Sequence, residues 1–472
     1  MFFKTNNNKY MLSEKQNMFL YLPPKFAEDK TEENSTSYYK KKYDFLKKNG
    51  FYDDFEPTFK TEYGEQKIKT NLANLRMLLI EVTDNCNLAC KYCGYRDYYI
   101  NYDQRNSKKQ TFGNIKILID YMTRLWRSPL NISYNNVITI GFYGGEPLLA
   151  FSLIQKTIDY IDENPIPGLR FEYNMTTNGV LLNRYIDYLA EKKINLLISL
   201  DGNEKNNAYR LDHASKPSFS TVFSNALILK QKYPDYFQNH VQFNTVLHNL
   251  NSVKSSYSFI YEIFGKSPRF GELNTNGLNP KKKKDFIRMF KNKILEFKKN
   301  TTLQEKNHEF KFMDPKLLLL SNFIDSYTGN SFHCFADLFI DKTRDEYVPT
   351  GTCHPFARKL FLTVNGKILP CEKIGHSNIL GKIAGDNLEI NFEKINSFYK
   401  KNYEEIIVKC QKCIRWHNCS YCIYLMPHEE ERISCDRYLP RNKSIQYLTF
   451  YIKELEEKPY LYNELITNLY KQ

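Results

Sequence analysis

From residue 76 onward the chain alternates short apolar runs with amphipathic stretches, and no other feature restricts its fold as much. The runs Met77 to Val82, Val137 to Tyr143, Phe171 to Met175, Ile194 to Leu200 and Val241 to Val246 have the length and apolar character of buried strands. Between them, Phe112 to Trp126, Leu149 to Ile161, Asn183 to Lys192, Ser218 to Lys232 and Ser252 to Phe264 repeat apolar residues at helical spacing. Strands that alternate with helices in this way form parallel βα units, because a parallel neighbour needs a crossover long enough to hold a helix. Such sheets bind ligands at the carboxyl ends of their strands. Chemistry is therefore expected in the residues just after each run.

At 472 residues the chain exceeds one compact core, and two or three domains are expected. Residues 1–72 are rich in Lys, Tyr and Asn, with a helical pattern from Tyr38 to Lys48 and a polar loop from Asp29 to Ser37. This predicts a small appended α+β domain. Residues 275–330 are lysine-rich and helical in pattern. Residues 334–435 hold eight of the eleven cysteines with little periodicity, which predicts a loop-rich, metal-held segment. The tail from Ser444 to Tyr470 is helical, with a break at Pro459. The expected divisions are 1–72, 73–300, 301–440 and 441–472.

The net charge is +14, but the lysines are scattered and only Lys281 to Lys284 forms a block, which a solvated helix start explains. No nucleic-acid partner is expected; attraction of an acidic peptide or redox partner is compatible with the charge. The first residues lack a secretory signal pattern, and no apolar run approaches the ~20 residues that cross a bilayer. No membrane partner and a reducing cytoplasm are expected, where clustered cysteines mean metal or redox chemistry rather than disulfides.

Cys86-x3-Cys90-x2-Cys93 directly follows the first predicted strand. Three thiolates in eight residues can wrap one face of a metal body, and soft thiolates select iron–sulfur clusters or zinc. A structural zinc site requires a fourth local ligand, and the nearest histidine is His213. Three ligands on a four-iron cluster leave one iron open to chelate a cofactor.

The Cys loop resembles the signature of the radical S-adenosylmethionine (SAM) superfamily, and four further segments match that family in order. Gly144-Gly145-Glu146-Pro147 ends the second strand and resembles the motif whose backbone receives the methionyl amine of SAM. Thr176-Thr177-Asn178-Gly179 ends the third. Ser199-Leu200-Asp201-Gly202, followed by Arg210, ends the fourth; in relatives the Ser and Arg hold the carboxylate of SAM. Asn244, ending the fifth, matches a position near the ribose or adenine, and Tyr92 resembles the adenine-packing aromatic. The resemblance implies an α/β partial (β/α)6 TIM-like barrel that cleaves SAM reductively to methionine and a 5′-deoxyadenosyl radical. Within it, Glu146 and Arg210 are positioning groups, not acids or bases, and the resemblance places them with Pro147, Thr177, Asn178 and Asp201 among the cofactor-binding residues.

The later cysteines read Cys353-x12-Gly366-x4-Cys371, then Cys410-x2-Cys413-x5-Cys419-x2-Cys422, then Cys435. On spacing alone a pair of zinc ribbons is equally compatible. Beside the amino-terminal motifs the pattern resembles the SPASM domain of radical SAM peptide-modifying enzymes, which carries two auxiliary four-iron clusters. Many relatives place three residues, not two, between the positions of Cys419 and Cys422. The resemblance assigns Cys353, Cys371 and Cys422 to one cluster and Cys410, Cys413, Cys419 and Cys435 to the other. Cys334 either completes the nearer cluster, so that all eleven cysteines are ligands, or is a buried thiol. Glu372 matches the general base of related sulfatase-maturing enzymes; a surface glutamate paired with Lys373 is the other reading.

The resemblance implies a cytoplasmic maturase that oxidises a ribosomally made precursor peptide to a crosslink or thioether, served by a flavodoxin- or ferredoxin-type electron donor. Residues 1–72 resemble a leader-recognition domain, and Leu317 to Val348 loosely resembles a substrate-covering bridge. The alternatives are an anaerobic sulfatase maturase, which forms formylglycine, a non-catalytic iron–sulfur peptide-binding partner, and a zinc-stabilised nucleic-acid-binding module.

Overall fold

The computed structural model describes residues 1–15, 18–22, 38–53, 55–132, 137–300, 310–311, 313–328, 348–350, 354–416, 419–429 and 432–469. In chain order these begin with β1 (Phe2–Lys4), β2 (Lys9–Ser13), β3 (Met18–Leu22) and α1 (Tyr38–Lys48). The βα series follows: α2 (Glu65–Ala73), β4 (Met77–Thr83), α3 (Phe112–Trp126), β5 (Val137–Gly144), α4 (Phe151–Glu163), β6 (Arg170–Thr177) and α5 (Ile186–Glu191). It continues through β7 (Asn195–Ser199), α6 (Phe219–Lys232), α7 (Pro234–His240), β8 (Val241–Val246), α8 (Val253–Phe264) and β9 (Arg269–Gly271). Helices α9 (Lys283–Met289), α10 (Lys293–Lys298) and α11 (Pro315–Thr328) come next. Four strands, β10 (Lys359–Leu362), β11 (Lys367–Leu369), β12 (Gly381–Ala384) and β13 (Asn387–Ile390), precede the long α12 (Phe392–Gln411). The chain closes with β14 (His428–Glu429), β15 (Arg432–Ile433), α13 (Ser444–Glu457) and α14 (Tyr460–Leu469).

Two compact units form, each from separated pieces of chain: 63–311 with 353–398, and 1–62 with 312–352 and 399–472. In the first, β4 to β9 lie side by side in sequence order and all pair in parallel. This is the open partial (β/α)6 barrel. Leu78, Ile80, Ile140, Phe142, Met175, Ile198 and Phe243 are buried on these strands, as the unbroken apolar runs require when both faces are covered. Helices start where the sequence supplies caps: Thr111 accepts from Asn114 N–H, and Ser252 forms a reciprocal capping box with Ser255. Lys281 to Lys284 are exposed at the start of α9, a solvated helix end.

The span 359–390 is more regular than its periodicity suggests. β10 pairs in parallel with the outer side of β4, and β11, β12 and β13 extend the sheet antiparallel from it. Strands of three or four residues joined by tight turns are too short to display a period of two. The turn at Gly366 (φ 74°) sits in the left-handed region that glycine tolerates.

In the second unit, β1–β2–β3 make an antiparallel sheet with β2 central. Phe3 and Leu12 from this sheet are buried with Leu320, Phe323 and Ile324 of α11, Leu448 and Ile452 of α13, and Leu461 and Leu465 of α14. Met11, Leu20 and Leu22 pack instead with Tyr43, Leu46 and Tyr52. Residues 1–62 therefore share a core with the carboxy-terminal helices instead of standing as an appendage. Cys334, Cys353 and most of the bridge-like span 317–348 lie outside the described residues.

Candidate active site

The loop after β4 carries Cys86, Cys90 and Cys93, all half-buried. Backbone bonds fix it: Ala89 N–H donates to Leu211 O (2.6 Å) and Lys91 N–H to Tyr209 O (3.0 Å), with an antiparallel bridge between Leu88 and Asp212. Its far side is held by Cys93 N–H to Cys90 O (3.2 Å) and by His213 Nε2, 2.8 Å from Cys86 O. Burial, with smaller contributions from the charges of Glu146 and Cys93, pushes the Cys86 thiol up to about 11. Burial pushes Cys90 up to about 12 against the opposing pull of Arg210.

The Gly144–Pro147 segment is pressed against the same loop. Gly144 has φ 145°, and a Cβ on Gly145 would lie 2.1 Å from Asn85 O. Gly145 N–H donates to Thr83 O (2.9 Å) and Glu146 N–H to Asn85 O (2.8 Å), so the stretch leading to Cys86 hangs on these two residues. Glu146 is fully buried and accepts from Leu148 N–H (3.1 Å), Thr177 Oγ1 (2.7 Å) and Asn178 N–H (2.7 Å). Its burial raises the carboxyl to about 7, and the three hydrogen bonds limit the rise. Asn178 in turn donates to Asn87 Oδ1 (2.8 Å) and approaches Cys86 Sγ at 3.7 Å. Pro147 opens the 3-10 turn that Glu146 caps.

At the end of β7, Asp201 is saturated by protein groups. Arg210 forks onto it (Nε–Oδ2 2.9 Å, Nη2–Oδ1 3.0 Å), Tyr92 donates its hydroxyl to Oδ2, and Val246 N–H donates to Oδ1 (2.9 Å). Burial would raise the Asp201 carboxyl, but the charge of Arg210 and the hydrogen bonds from His248 and Arg210 together hold it down at about 2. Asp201 is thus a hub that ties Arg210, Tyr92 and Val246 together. Ser199 and Asn244 are register partners across β7 and β8 at the same strand ends. The structure brings Cys86, Glu146, Thr177 and Asn178 into one bonded set. Tyr92, Asp201 and Arg210 form a second set, which reaches the Cys loop through Cys90.

Sequence reasoning missed His248, which is completely buried, stacked on Tyr92 (centroids 5.5 Å apart) with its Nε2 3.6 Å from Asp201 Oδ2. It missed Asn207, whose Oδ1 accepts from Asp201 N–H (3.1 Å). A lone His or Asn in a loop carries no spacing signal; a position just past the fifth strand end was the only available hint.

Glu372 sits next to Cys371, which donates to its Oε2 at 3.2 Å. It is largely buried and pairs with Lys359 (2.9 Å), not with the exposed Lys373. Burial would raise its carboxyl, but the Lys359 charge wins and lowers it. Tyr102 and Tyr143, both half-buried, lie between the two corners, each close enough to feel the charges of Glu372 and Cys93.

In the other unit, Cys410, Cys413, Cys419 and Cys435 line a single cavity of ≈ 220 Å³. Lys409, Arg415 and Arg437 also line it. Cys410, in the last turn of α12, donates to Pro349 O (2.7 Å), and Cys413 is held by a bridge to Pro440. Cys422 does not line this cavity. Among the described residues no three His, Cys, Asp or Glu side chains are drawn tightly enough to hold a single metal ion. No described helix is long and apolar enough to cross a membrane.

A model of the radical SAM superfamily matches residues 80–252. A cysteine-type anaerobic sulfatase-maturating enzyme of Clostridium novyi is 29% identical over 168 residues, which is 35% of this chain and 43% of that protein. The radical SAM cyclopropyl synthase TigE of Paramaledivibacter caminithermalis is 26% identical over 190 residues, 39% of this chain and 36% of its own. These matches span less than half of either relative. Among solved structures, native anSMEcpe with bound AdoMet aligns over 82% of this chain and 99% of its own, at 18% identity and a TM-score of 0.49.

Proposed function

We propose, from the radical SAM domain that residues 80–252 constitute, that this protein cleaves SAM reductively and oxidises a residue of a ribosomally made precursor peptide. The observation that carries this reading is the strapping of the Cys86–Cys93 loop to residues 209–212 on one side and to Gly145–Glu146 on the other. Both straps bring strand-end residues of the barrel to bear on three thiols. The donor set fits an iron–sulfur cluster: three soft thiol ligands lie within one loop, and burial disfavours the ionised forms of Cys86 and Cys90 unless a cationic centre lies close by. Cys86, Cys90 and Cys93 would hold such a cluster, and it would supply the electron for reductive cleavage of SAM.

The chain's own groups orient the cofactor. The N–H groups of Gly145 and Glu146 are already engaged, so a methionyl ammonium meets carbonyl oxygens at this segment, which are the acceptors it requires. Arg210 keeps N–H groups beyond the two spent on Asp201, and these with Ser199 suit the methionyl carboxylate. Tyr92 and Asn244 flank the nucleoside end. Glu372, held ionised by Lys359, is in the form that accepts a proton at a carboxylate oxygen when the peptide loses its second hydrogen, and the electron left behind is one that an auxiliary cluster would accept.

Cys410, Cys413, Cys419 and Cys435 are assigned to one auxiliary cluster, whose negative charge the three lining cations offset. Cys353, Cys371 and Cys422 are assigned to another, which Cys334 either completes or, as a free thiol, leaves with an open iron. An acidic flavodoxin- or ferredoxin-type protein in a reducing cytoplasm is the proposed electron donor. The leader of the precursor is proposed to add a strand to an open edge of β1–β2–β3.

The test is anaerobic incubation of the reduced, reconstituted protein with SAM and a small peptide encoded beside its gene. Deoxyadenosine together with a loss of about two hydrogens per modification supports oxidation by this balance. A colourless, zinc-bearing protein that forms no deoxyadenosine rejects it. The sulfatase-maturing relative favours a second reading, formylglycine formation, which a sulfatase-derived peptide in the same assay distinguishes.

A further inference from the structure

We propose that His248 is a positioning residue of the SAM site, acting through Asp201 on Arg210 and through ring contact on Tyr92. The inference rests on the reading above and concerns a side chain that none of the strand-end motifs includes.

Two donors approach this imidazole, and the closer one orients it: the other, Asn251 Nδ2, lies 3.4 Å from Nε2 but is bonded to Val246 O at 2.8 Å. Leu250 N–H can only donate, and it points at His248 Nδ1 (3.2 Å), so Nδ1 is the acceptor and the ring proton resides on Nε2. That Nε2 faces Asp201 Oδ2 at 3.6 Å, on the carboxylate oxygen that also receives Arg210 Nε and the Tyr92 hydroxyl. Main-chain His248 N–H is tied to Asn251 Oδ1 (2.9 Å), and the Asn251 amide bonds Val246 O (2.8 Å), so the ring's base cannot drift. Above it, Tyr92 stacks at 28° to the imidazole plane, and Tyr209 packs from the side at 4.8 Å. Arg210 lies over the Tyr92 ring at 5.4 Å.

Tyr92 and Tyr209 belong to the Cys-loop assembly: Tyr92 separates Cys90 from Cys93, and Tyr209 O receives Lys91 N–H. His248 is therefore the floor on which both the aromatic of the loop and the arginine fork rest. Its side chain is 0% exposed, so it meets no ligand itself and can act only through these neighbours. A group so placed restricts Arg210 and Tyr92 to one orientation before SAM arrives, and pre-organised donors bind more tightly because less ordering is left to bind.

The decisive variant is His248→Phe, which keeps a ring under Tyr92 and removes the Nε2 proton that faces Asp201. With iron content held at the wild-type level, the expected result is SAM binding weakened about tenfold by calorimetry, roughly 1.4 kcal/mol. The electron paramagnetic resonance change that SAM causes in the reduced cluster should also be altered. Combined with Arg210→Lys, the loss should be clearly less than the sum of the two single losses, because both act through one carboxylate. Wild-type affinity with an unchanged resonance shift, or strict additivity with Arg210→Lys, overturns the proposal. If His248→Phe fails to load iron, His248→Gln and His248→Leu are compared: Gln, which retains an N–H donor, should bind SAM more tightly than Leu, and equal binding overturns it. Should the loaded wild-type protein itself show neither SAM binding nor a resonance shift, the proposed function fails instead.

Discussion

Gly145 and Glu146 show how much of this site is decided by single atoms. A methyl group at residue 145 would lie 2.1 Å from Asn85 O, 2.5 Å from its carbonyl carbon and 2.8 Å from Asp84 O, all backbone atoms. Backbone cannot rotate away as a side chain can, so Gly145→Ala must push the chain that leads into Cys86. The expected cost in stability is about 1–3 kcal/mol. A shift of the cluster loop by even an ångström should cost on the order of 10²-fold in deoxyadenosine formation. Near-normal turnover in that variant would show that the close approach is not needed. Glu146 makes a prediction of opposite kind. Its folded-state carboxyl titrates at about 7 against an ordinary 4.5, so between these values the folded protein keeps a proton that the unfolded chain has lost. Its contribution to stability therefore falls as pH rises through that window, by roughly 3 kcal/mol in all at about 1.4 kcal/mol per pH unit. Denaturant unfolding between about pH 5 and 7 should show this slope, and Glu146→Gln should flatten it; an identical slope in both proteins would exclude Glu146 as its source.

At the scale of elements, the sequence was most readable where one strand or helix is long enough to repeat its own pattern. Val241–Val246, Phe112–Trp126 and Tyr38–Lys48 have the ends that their apolar spacing predicts. The Cys86–Cys93 loop was readable for the same local reason, since its ligands lie within eight residues. β1 to β3 and β10 to β13 were not, because strands of three to five residues are decided by partners far along the chain: β10 finds β4 across more than 280 residues. The Asp201–Arg210 fork and the His248 floor were likewise beyond reach, because burial and orientation, not spacing, define them. The cavity at the end of α12 lies between these cases. Its four cysteines are close in sequence, but their gathering depends on Pro349 and on the bridge to Pro440. Replacing Cys413 and Cys435 by Ala together should remove about four iron atoms per chain, one four-iron cluster. Deoxyadenosine formation without peptide should persist while peptide oxidation falls at least tenfold. Unchanged iron in this double variant would refute the assignment of these thiols to a cluster.

For the whole molecule, the discontinuous units change how peptide recognition must be tested. An appended leader-binding domain invites deletion of residues 1–72, with SAM cleavage expected to survive. Phe3 and Leu12, however, are buried among Leu320, Phe323, Leu448 and Ile452, so deletion would open a core built from three distant stretches of chain. Each large buried side chain removed costs about 2–5 kcal/mol, more than most domains can lose twice. Surface changes on the edge strand avoid this confusion. Met18 and Tyr21 on β3 are each 39% exposed, whereas Leu20 and Leu22 are buried. Lysines at 18 and 21 leave the core intact, and charges on an edge strand oppose the pairing of another chain. The double variant Met18→Lys, Tyr21→Lys should keep its melting temperature and its peptide-independent SAM cleavage. It should bind the precursor at least tenfold more weakly, while a leaderless core peptide supplied at high concentration is modified as well as by the wild type. Equal precursor affinity in the two proteins would place recognition away from β3, on the opposite edge at β1 or elsewhere in the chain.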